Sequence, residues 1–213
     1  MRRSTNDSSL IVSTNPKSPI SEVYRLLRTK IPFSSKDMEL KTIMVTSSQT
    51  GEGKSTTISN LAVTYAQEGK RVLLIDADLR KPSLHRIFSR LNYQGLSTLL
   101  AGQANTDEVI QETSVNQLSL LPSGPVPSNP SELMDSIAMR NLLDQMKEQY
   151  DVILMDTPSV LSVSDSVIVS ALCDGIIMVV AAGKVKRERL KKAQEQLTHV
   201  NARMLGIVIN RVV

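Results

Sequence analysis

The sequence predicts an α/β fold built on an open, mainly parallel β-sheet with helices on both faces. Short runs of Ile, Val and Leu, typical of strands buried on both faces, recur along the chain. Helical patterns alternate with these runs, as expected where crossover helices connect parallel strands. The length of 213 residues suits one such domain, and 41% hydrophobic residues suit a folded core.

The N-terminal segment precedes this alternation. Residues 1–17 are rich in Ser, Thr and Asn and are interrupted by proline, which predicts a flexible, extended arm. Apolar residues then recur at helical spacing from Ile20 to Ile31. We therefore predict an amphipathic helix over residues 18–32 at the start of a single domain that spans residues 18–213.

Six strands and four helices are predicted after this first helix. The strands are expected at residues 42–46, 71–75, 118–121, 152–155, 176–180 and 205–209. The helices are expected at residues 54–67, 131–149, 164–172 and 186–200. The proline-rich segment 123–131 is predicted to be a loop of the same domain, because strand-like patterning resumes on both sides of it.

Composition excludes several classes of protein. Only 3% of the residues are aromatic, which argues against a platform that stacks nucleic-acid bases. The single cysteine, Cys173, supports neither a disulfide scaffold nor a zinc module. The apolar run from Ile176 to Ala182 is far shorter than the roughly 20 residues of a membrane-spanning helix. We expect neither an export signal nor a membrane span, and with a net charge of only +4 we expect no nucleic-acid partner.

A basic stretch near the C-terminus allows two interpretations. Residues 184–192 carry six Lys and Arg side chains interrupted by Glu188. Such a stretch can meet anionic lipid or nucleic acid. A solvated helix face is favoured, because Leu190 and Leu197 give the helix an apolar side.

The strongest chemical motif is Ser-Gln-Thr-Gly-Glu-Gly-Lys-Ser at residues 48–55, between a predicted strand and a predicted helix. This context is that of a P-loop, although Ser48 stands where the general pattern has Gly. Two glycines let backbone N–H groups and a helix N-terminus face a polyphosphate. The candidate nucleotide-binding residues are Gln49, Thr50, Gly51, Glu52, Gly53, Lys54, Ser55 and Thr56. The alternative is a Gly-rich turn that only caps a helix.

Within the motif, three side chains have individual roles. Lys54 is expected to reach the β- and γ-phosphate oxygens, Ser55 to bind Mg²⁺ and Thr56 to contact the α-phosphate.

Three carboxylates follow predicted strands. Asp76 and Asp78 end one apolar run, and Asp156 ends another. The carboxyl ends of parallel strands are where such sheets bind ligands, and carboxylates there can hold Mg²⁺ or its waters. A single Asp at a strand end is commonly a helix cap or turn residue, but three beside a P-loop indicate a Mg²⁺-nucleotide site. ATP is preferred to GTP, because no Asn-Lys-x-Asp segment is present.

Five motifs in order carry a resemblance to a known family. They are Glu22-x-x-Arg25-x-x-Arg28, the phosphate loop 50–56, the aspartate motif 74–82, Asn-Pro-Ser-Glu-Leu at 129–133 and Asp-Thr-Pro at 156–158. Together they resemble the bacterial P-loop protein-tyrosine kinases, the BY-kinases, of the Gram-positive type, which are cytoplasmic kinases of capsule and exopolysaccharide synthesis. The resemblance covers nearly the whole chain.

The resemblance implies roles at the site. It places Lys54, Asp76 and Asp78 in catalysis with ATP and Mg²⁺, and Asp78 is the candidate to assist the tyrosyl hydroxyl. Ser55, Asp76 and Asp156 are the implied metal-binding residues. By analogy with the related division-site and plasmid-partition ATPases, Asn210 after the last strand is expected to contact adenine.

The resemblance also implies partners. Glu22, Arg25 and Arg28 match an oligomerisation motif and imply a ring of like subunits, whereas their i,i+3 spacing alone also fits a solvated helix face. A membrane-bound activator is expected to recruit the kinase to the inner face of the cell membrane, and other proteins are expected to be phosphorylated on tyrosine. Two further functions stay open: a P-loop ATPase switch that controls assembly on a membrane or DNA surface, and a nucleotide-binding regulatory subunit without catalysis.

The acceptor tyrosine is not indicated by a motif. Members of the family usually carry clustered tyrosines in a C-terminal tail, whereas the four tyrosines here are scattered. We expect the acceptor to lie in a tail outside the printed sequence, in another protein, or at an isolated position such as Tyr24 or Tyr93.

Overall fold

The computed structural model describes residues 10–35 and 39–211, and in them a seven-stranded sheet. The strands are β1 (Thr42–Ser47), β2 (Val72–Asp76), β3 (Gln111–Glu112), β4 (Leu118–Leu121), β5 (Val152–Asp156), β6 (Gly175–Ala181) and β7 (Met204–Asn210). Their order is β3-β4-β2-β5-β1-β6-β7, and every neighbouring pair is parallel except the antiparallel pair β3 and β4. The predicted open, mainly parallel sheet is confirmed.

Ten helices accompany the strands in the described residues. They are α1 (Ile11–Thr14), α2 (Pro19–Phe33), α3 (Lys54–Gln67), α4 (Leu84–Ile87), α5 (Leu96–Leu100), α6 (Thr106–Val109), α7 (Pro130–Met134), α8 (Ile137–Gln149), α9 (Asp165–Ser170) and α10 (Arg187–His199). None of these helices, in the part of the chain that the structure describes, has both the length and the apolar character needed to cross a bilayer.

The sheet separates two apolar cores. Because side chains alternate along a strand, Met44 and Ile43 of β1 belong to different cores, as do Leu73 and Leu74 of β2. The first core includes buried residues of α5, α7, α8, α9 and α10, and the second includes those of α3 and α4 together with α1 and α2. Helices therefore cover both faces, as the continuous apolar strands predicted.

The N-terminal prediction is wrong for residues 10–17, while residues 1–9 lie outside the described part. Residues 10–17 are not an extended arm, because α1 packs against α3. The Val12 side chain is fully buried, and its N–H donates to Asn60 Oδ1 at 3.0 Å. The Ser- and Asn-rich composition of the segment concealed this anchor, which Leu10 and Ile11 extend by packing against the same core. The predicted helix at 18–32 is present as α2, with Ser18 capping its N-terminus through the N–H of Ser21.

The predicted helix at 131–149 is two helices. Ser136 separates α7 from α8, because its hydroxyl accepts the N–H of Met139 at 3.2 Å and caps α8. The short elements β3, α4, α5 and α6 were not predicted. Helices of four or five residues and a strand of two residues are too short for a periodic pattern.

Candidate active site

The phosphate-loop motif lies between β1 and α3 and begins at Ser48. Gly51 and Gly53 have φ of +81° and +95°, in the left-handed region that favours glycine. A Cβ on Gly53 would also lie 2.1 Å from Asn210 Nδ2, so a side chain has no room there. The loop brings the unpaired N–H groups at the start of α3 to the carboxyl edge of the sheet, which suits an anion.

Glu52 braces this loop from within. Its side chain is only 1% exposed. Oε1 accepts the Ser48 hydroxyl and the Gln49 N–H, both at 2.8 Å, and Oε2 accepts the N–H of Ala181 on β6 at 3.0 Å. The carboxylate is thus used for loop geometry. Because the Glu52 carboxylate makes these hydrogen bonds within the protein, the predicted contact of Glu52 with the nucleotide can use only its backbone N–H, as a donor to phosphate.

Asn210 also contacts the loop rather than open solvent. Its Nδ2 donates to the Glu52 carbonyl at 2.9 Å, and its Oδ1 accepts the N–H of Arg211 at 2.9 Å. The expected contact of Asn210 with adenine stays a prediction, and the amide keeps a second N–H and a second acceptor site for it.

Gln49 connects the loop to α10, a contact that sequence analysis missed. Arg189 Nη1 donates to Gln49 Oε1 at 2.9 Å, and Gln49 Nε2 donates to the Lys184 carbonyl at 3.4 Å. The two partners Gln49 and Arg189 are 140 residues apart, and no local pattern links them. Arg189 belongs to the basic stretch that was predicted to form a solvated helix face. The structure places its side chain beside the phosphate loop.

Asp76 and Asp156 lie side by side at the floor of the site. They end the neighbouring parallel strands β2 and β5 and are paired in register. Their side chains are 0% and 1% exposed. Asp76 Oδ2 accepts the N–H groups of Ser83 and Leu84 at 2.9 Å each. Asp76 Oδ1 and both oxygens of Asp156 accept no hydrogen bond within the described residues.

Burial perturbs both carboxyl groups. It raises the pKa of Asp76 to about 7, against the opposing effect of the Leu84 and Ser83 N–H groups. Burial, reinforced by the charge of Asp76, raises the pKa of Asp156 to about 8, while Ser55 and Lys54 oppose the rise. Burial of two adjacent ionised carboxylates costs free energy unless a cation neutralises them. We therefore expect the ionised form of this pair to bind a cation.

The residues present fit a Mg²⁺ ion shared with a nucleotide. Three buried carboxylate oxygens have no hydrogen bond of ordinary geometry in the described residues, and the Ser55 hydroxyl lies close enough to Asp156 to lower its pKa as a donor. Within the same residues no group of three His, Cys, Asp or Glu side chains forms a metal site on its own. Mg²⁺ typically combines one or two carboxylates with substrate phosphates, which matches this incomplete protein site.

Lys54 and Asp78 stand at different depths. Lys54, the first residue of α3, is 8% exposed, and its charge lowers the pKa of Asp156. Asp78 is half-buried, and its Oδ1 accepts the N–H of Lys81 at 2.9 Å. Asp78 is thus the more accessible carboxylate, which suits contact with an incoming hydroxyl group.

The carboxylate pair predicts how stability depends on pH. Both pKa values are raised on folding, so between about pH 4 and about pH 8 the native chain retains protons that the unfolded chain releases. We expect the melting temperature of the nucleotide-free chain to fall by several degrees from about pH 5 to about pH 8. Added Mg-ADP is expected to raise it more at the alkaline end, because the metal binds the ionised groups. Differential scanning fluorimetry with wild type and Asp156→Asn measures both effects.

The substituted carboxyl is the internal control of that experiment. Asp156→Asn removes one raised pKa, so its melting temperature should depend less on pH. A wild-type melting temperature that rises across this range would contradict the assignment.

The site combines a glycine-bearing phosphate loop, which joins a strand to a helix that begins with Lys-Ser, with two buried aspartates at strand ends. This combination defines a P-loop nucleotide-binding protein. Comparison with known proteins refines this class. A family model described as an AAA domain matches residues 40–206. The chain is 43% identical over 209 residues to tyrosine-protein kinase YwqD of Bacillus subtilis, covering 98% of this chain and 88% of that protein.

Solved structures agree with this comparison. The chimerical protein CapA2B2 superposes with a TM-score of 0.93 at 41% identity, covering 96% of this chain and 90% of that chain. The septum site-determining protein MinD of Pyrococcus horikoshii, solved with Mg-ADP, has a TM-score of 0.69 at 26% identity and covers 80% of this chain and 70% of that chain. The chain belongs to the bacterial tyrosine-protein kinases, and its fold is shared with the division-site ATPases.

Proposed function

We propose that this chain is an ATP-dependent protein-tyrosine kinase that autophosphorylates, phosphorylates other proteins and regulates capsule or exopolysaccharide production. The observation that carries the proposal is the pair of buried, donor-poor aspartates, Asp76 and Asp156, beside the phosphate loop of a tyrosine-kinase family member. The accessible Asp78 on the same edge supports phosphoryl transfer to a hydroxyl rather than nucleotide binding alone.

The proposed mechanism assigns a task to each side chain. The backbone of residues 49–53 and the N-terminus of α3 hold the phosphates, Lys54 neutralises the β- and γ-oxygens, and Thr56 contacts the α-phosphate. Ser55, Asp76 and Asp156 would hold Mg²⁺. When bound, the ion supplies charge neutralisation for the transferring phosphoryl group.

Asp78 completes the reaction in this proposal. Its carboxylate accepts the proton of the tyrosyl hydroxyl, whose oxygen forms a bond to the γ-phosphorus while the bond to the bridging oxygen of ADP breaks. The remaining contribution of the protein is positioning, because phosphoryl transfer needs little covalent assistance.

Exposure narrows the choice of acceptor within the chain. Tyr93 is 81% exposed, whereas Tyr65 is 6% exposed. Burial raises the pKa of Tyr24 against a hydrogen bond with Thr57. Of the two isolated tyrosines named as candidates, Tyr93 is therefore the one we propose for autophosphorylation.

Incubation with γ-labelled ATP and Mg²⁺ tests the proposed function. Label on tyrosine, in the chain or in a Glu-Tyr copolymer, supports the kinase. The assay is repeated with cytoplasmic segments of candidate membrane activators, because we propose that such a partner recruits the chain to the inner face of the membrane. Release of free phosphate without labelled tyrosine in any of these reactions would support the ATPase switch instead.

We also propose that α2 forms a ring interface between like subunits. Ile20, Val23 and Leu26 of α2 are 57%, 63% and 53% exposed, an apolar surface that suits a neighbouring subunit. Arg25 pairs with Glu22 at the surface and donates to the Pro16 carbonyl at 2.6 Å. The exposed Glu22 can meet a neighbouring subunit directly, whereas Arg25 holds Glu22 and the Pro16 carbonyl within its own chain.

Arg28, the third member of the motif, faces its own chain. Its Nη1 donates to the Thr64 carbonyl at 2.9 Å, its Nε lies 3.4 Å from Glu68 Oε2, and its side chain is 18% exposed. We infer that Arg28 acts by holding α2 against the C-terminal end of α3, and thereby presents the rest of the motif.

A double substitution tests this interface. Arg25→Ala with Arg28→Ala should shift the mass measured by light scattering towards the monomer. Arg28→Ala alone should also lower the melting temperature, because it leaves Thr64 and Glu68 without their partner. Arg140→Ala on α8, which removes an exposed pair with Asp135, is the matched control and should change neither quantity. An unchanged mass in the double variant would remove the interface role.

A further inference from the structure

An ion pair and a serine join the loop after β2 to helices α7 and α9 at the carboxyl edge of the sheet. Arg80 Nε lies 2.8 Å from Asp165 Oδ2, and Arg80 Nη2 lies 3.1 Å from Asp165 Oδ1. The Ser131 hydroxyl donates to Asp165 Oδ1 at 2.6 Å and accepts from Arg80 Nη2 at 3.2 Å. Arg80 follows β2, Ser131 lies in α7, and Asp165 begins α9.

The carboxylate of this group is nearly inaccessible. The Asp165 side chain is 1% exposed, and the Arg80 side chain is 38% exposed. Burial favours the neutral acid, but hydrogen bonds from Arg80 and Ser131 outweigh it, so the pKa of Asp165 lies below its ordinary value. An ionised pair at such a depth is weak evidence for a role in stability, because apolar replacements often serve stability as well.

The ion pair acts on the loop that carries Asp78. Asp76 Oδ2 accepts the N–H groups of Ser83 and Leu84, and Asp78 Oδ1 accepts that of Lys81, so residues 76–84 fold back on themselves. Arg80, two residues beyond Asp78, is the side chain that connects this folded-back segment to α7 and α9. These hydrogen bonds hold the segment against the two helices, beside the apolar packing of Leu79, which is buried in the same core as Met134 of α7 and Val169 of α9.

We propose that Arg80, Asp165 and Ser131 are positioning residues for phosphoryl transfer, and that they act by fixing the Asp78 loop against α7 and α9. The inference rests on the proposed function and adds residues that the sequence motifs left without a role. The three side chains contact each other, and the contacts with the phosphate loop are made by the other residues described above. Misplacement of a reacting group by about 1 Å can cost about 100-fold in rate, so the loss should fall on kcat.

Steady-state kinetics of the purified full chain with Mg-ATP tests the proposal. Arg80→Gln and Asp165→Asn should each lower kcat about 10- to 100-fold while KM for ATP stays within about twofold. The double variant should lose no more than the worse single variant, because both changes disconnect the same loop. Ser131→Ala, which keeps the ion pair, should give a smaller loss of kcat.

The chain offers a matched control pair at the opposite edge of the sheet. Arg71 and Asp151 form a similar pair, with Nη2 to Oδ1 at 2.8 Å and Nε to Oδ2 at 3.4 Å, immediately before β2 and β5. Arg71→Gln and Asp151→Asn should retain the kcat of the wild type. Thermal melting shows which variants are folded. If a variant that lacks the ion pair does not fold, Ser131→Ala, which keeps the ion pair, still tests the proposal.

Three results would overturn the proposal. They are a kcat loss no larger than in the control pair, additive losses in the double variant, and a raised KM for ATP with unchanged kcat, which would mean direct nucleotide contact. Every variant is assayed both for phosphotyrosine and for free phosphate. If wild type only hydrolyses ATP, the proposed kinase function fails, and the positioning role is then judged by the same comparisons on hydrolysis.

Discussion

Substitution of Lys54 by methionine is expected to reduce phosphoryl transfer to tyrosine by about 10²- to 10³-fold or to the assay background, as when one charge-stabilising donor is lost. Lys54 is 8% exposed at the first position of α3 and faces a site with two buried carboxyl groups. Methionine has a similar unbranched shape, so packing is retained while the positive charge is removed. The loss should therefore arise from electrostatics.

The same substitution has a second effect on the site. Lys54 lowers the pKa of Asp156, and its removal leaves that buried carboxyl more fully protonated. A protonated Asp156 is a poorer Mg²⁺ ligand, so the Mg²⁺ concentration needed for half-maximal nucleotide binding should rise. Titration with a fluorescent ADP analogue at several Mg²⁺ concentrations measures this shift.

A matched lysine controls for general loss of charge. Lys191 on α10 is 78% exposed, and its Nζ lies 3.8 Å from Glu195 Oε1. Lys191→Met should transfer phosphate at the rate of the wild type. Undiminished labelling in Lys54→Met would show that the phosphate loop has been assigned wrongly.

Substitution of Asp78 by asparagine is expected to lower kcat about 10²- to 10⁴-fold, the range of a lost general base. Asparagine keeps an oxygen for the Lys81 N–H, so the hydrogen bond at 2.9 Å can persist and the loop can hold its shape. Only the basicity of the side chain is lost. Affinity for Mg-ADP should stay within about threefold of wild type.

Comparison of rate with affinity decides the role of Asp78. Asp135→Asn, at a side chain that is 64% exposed and immediately follows α7, serves as the control and should match wild type in both measurements. Equal losses of kcat and of Mg-ADP affinity in Asp78→Asn would assign Asp78 to nucleotide or metal binding instead.

Sequence patterns predicted the central sheet because its signal is local and repeated. Runs such as Leu73-Leu74-Ile75 are apolar at every position, and a strand buried on both faces leaves no other trace. The same signal fails for β3, which has two polar residues, and for α1, where the short apolar run Leu10-Ile11-Val12 is flanked by polar residues. Elements held in place by tertiary contacts carry little signal of their own.

The chemistry of the site was partly predictable for the same reason. The phosphate loop is a short contiguous motif, and each strand-end aspartate stands in one. The residues that are predicted to act together can therefore be read directly from the sequence. The supporting contacts are not contiguous: Glu52 meets β6 at a separation of 129 residues, and Arg80 meets Asp165 at 85. The sequence predicts which residues face the substrate, whereas the residues that hold them in place are visible only in the fold.

The hydrogen bond from Arg28 to Thr64 connects the proposed subunit interface on α2 to α3, the helix that begins at the phosphate loop. α3 is a continuous helix of 14 residues, and about 15 Å along its axis separates Lys54 at its first position from Thr64. In the proposed assembly, a neighbouring subunit that contacts α2 therefore acts on the helix that begins with Lys54. Where assembly changes ATP affinity through this contact, ATP must change the assembly constant by the same factor. Measurement of either dependence then gives the other.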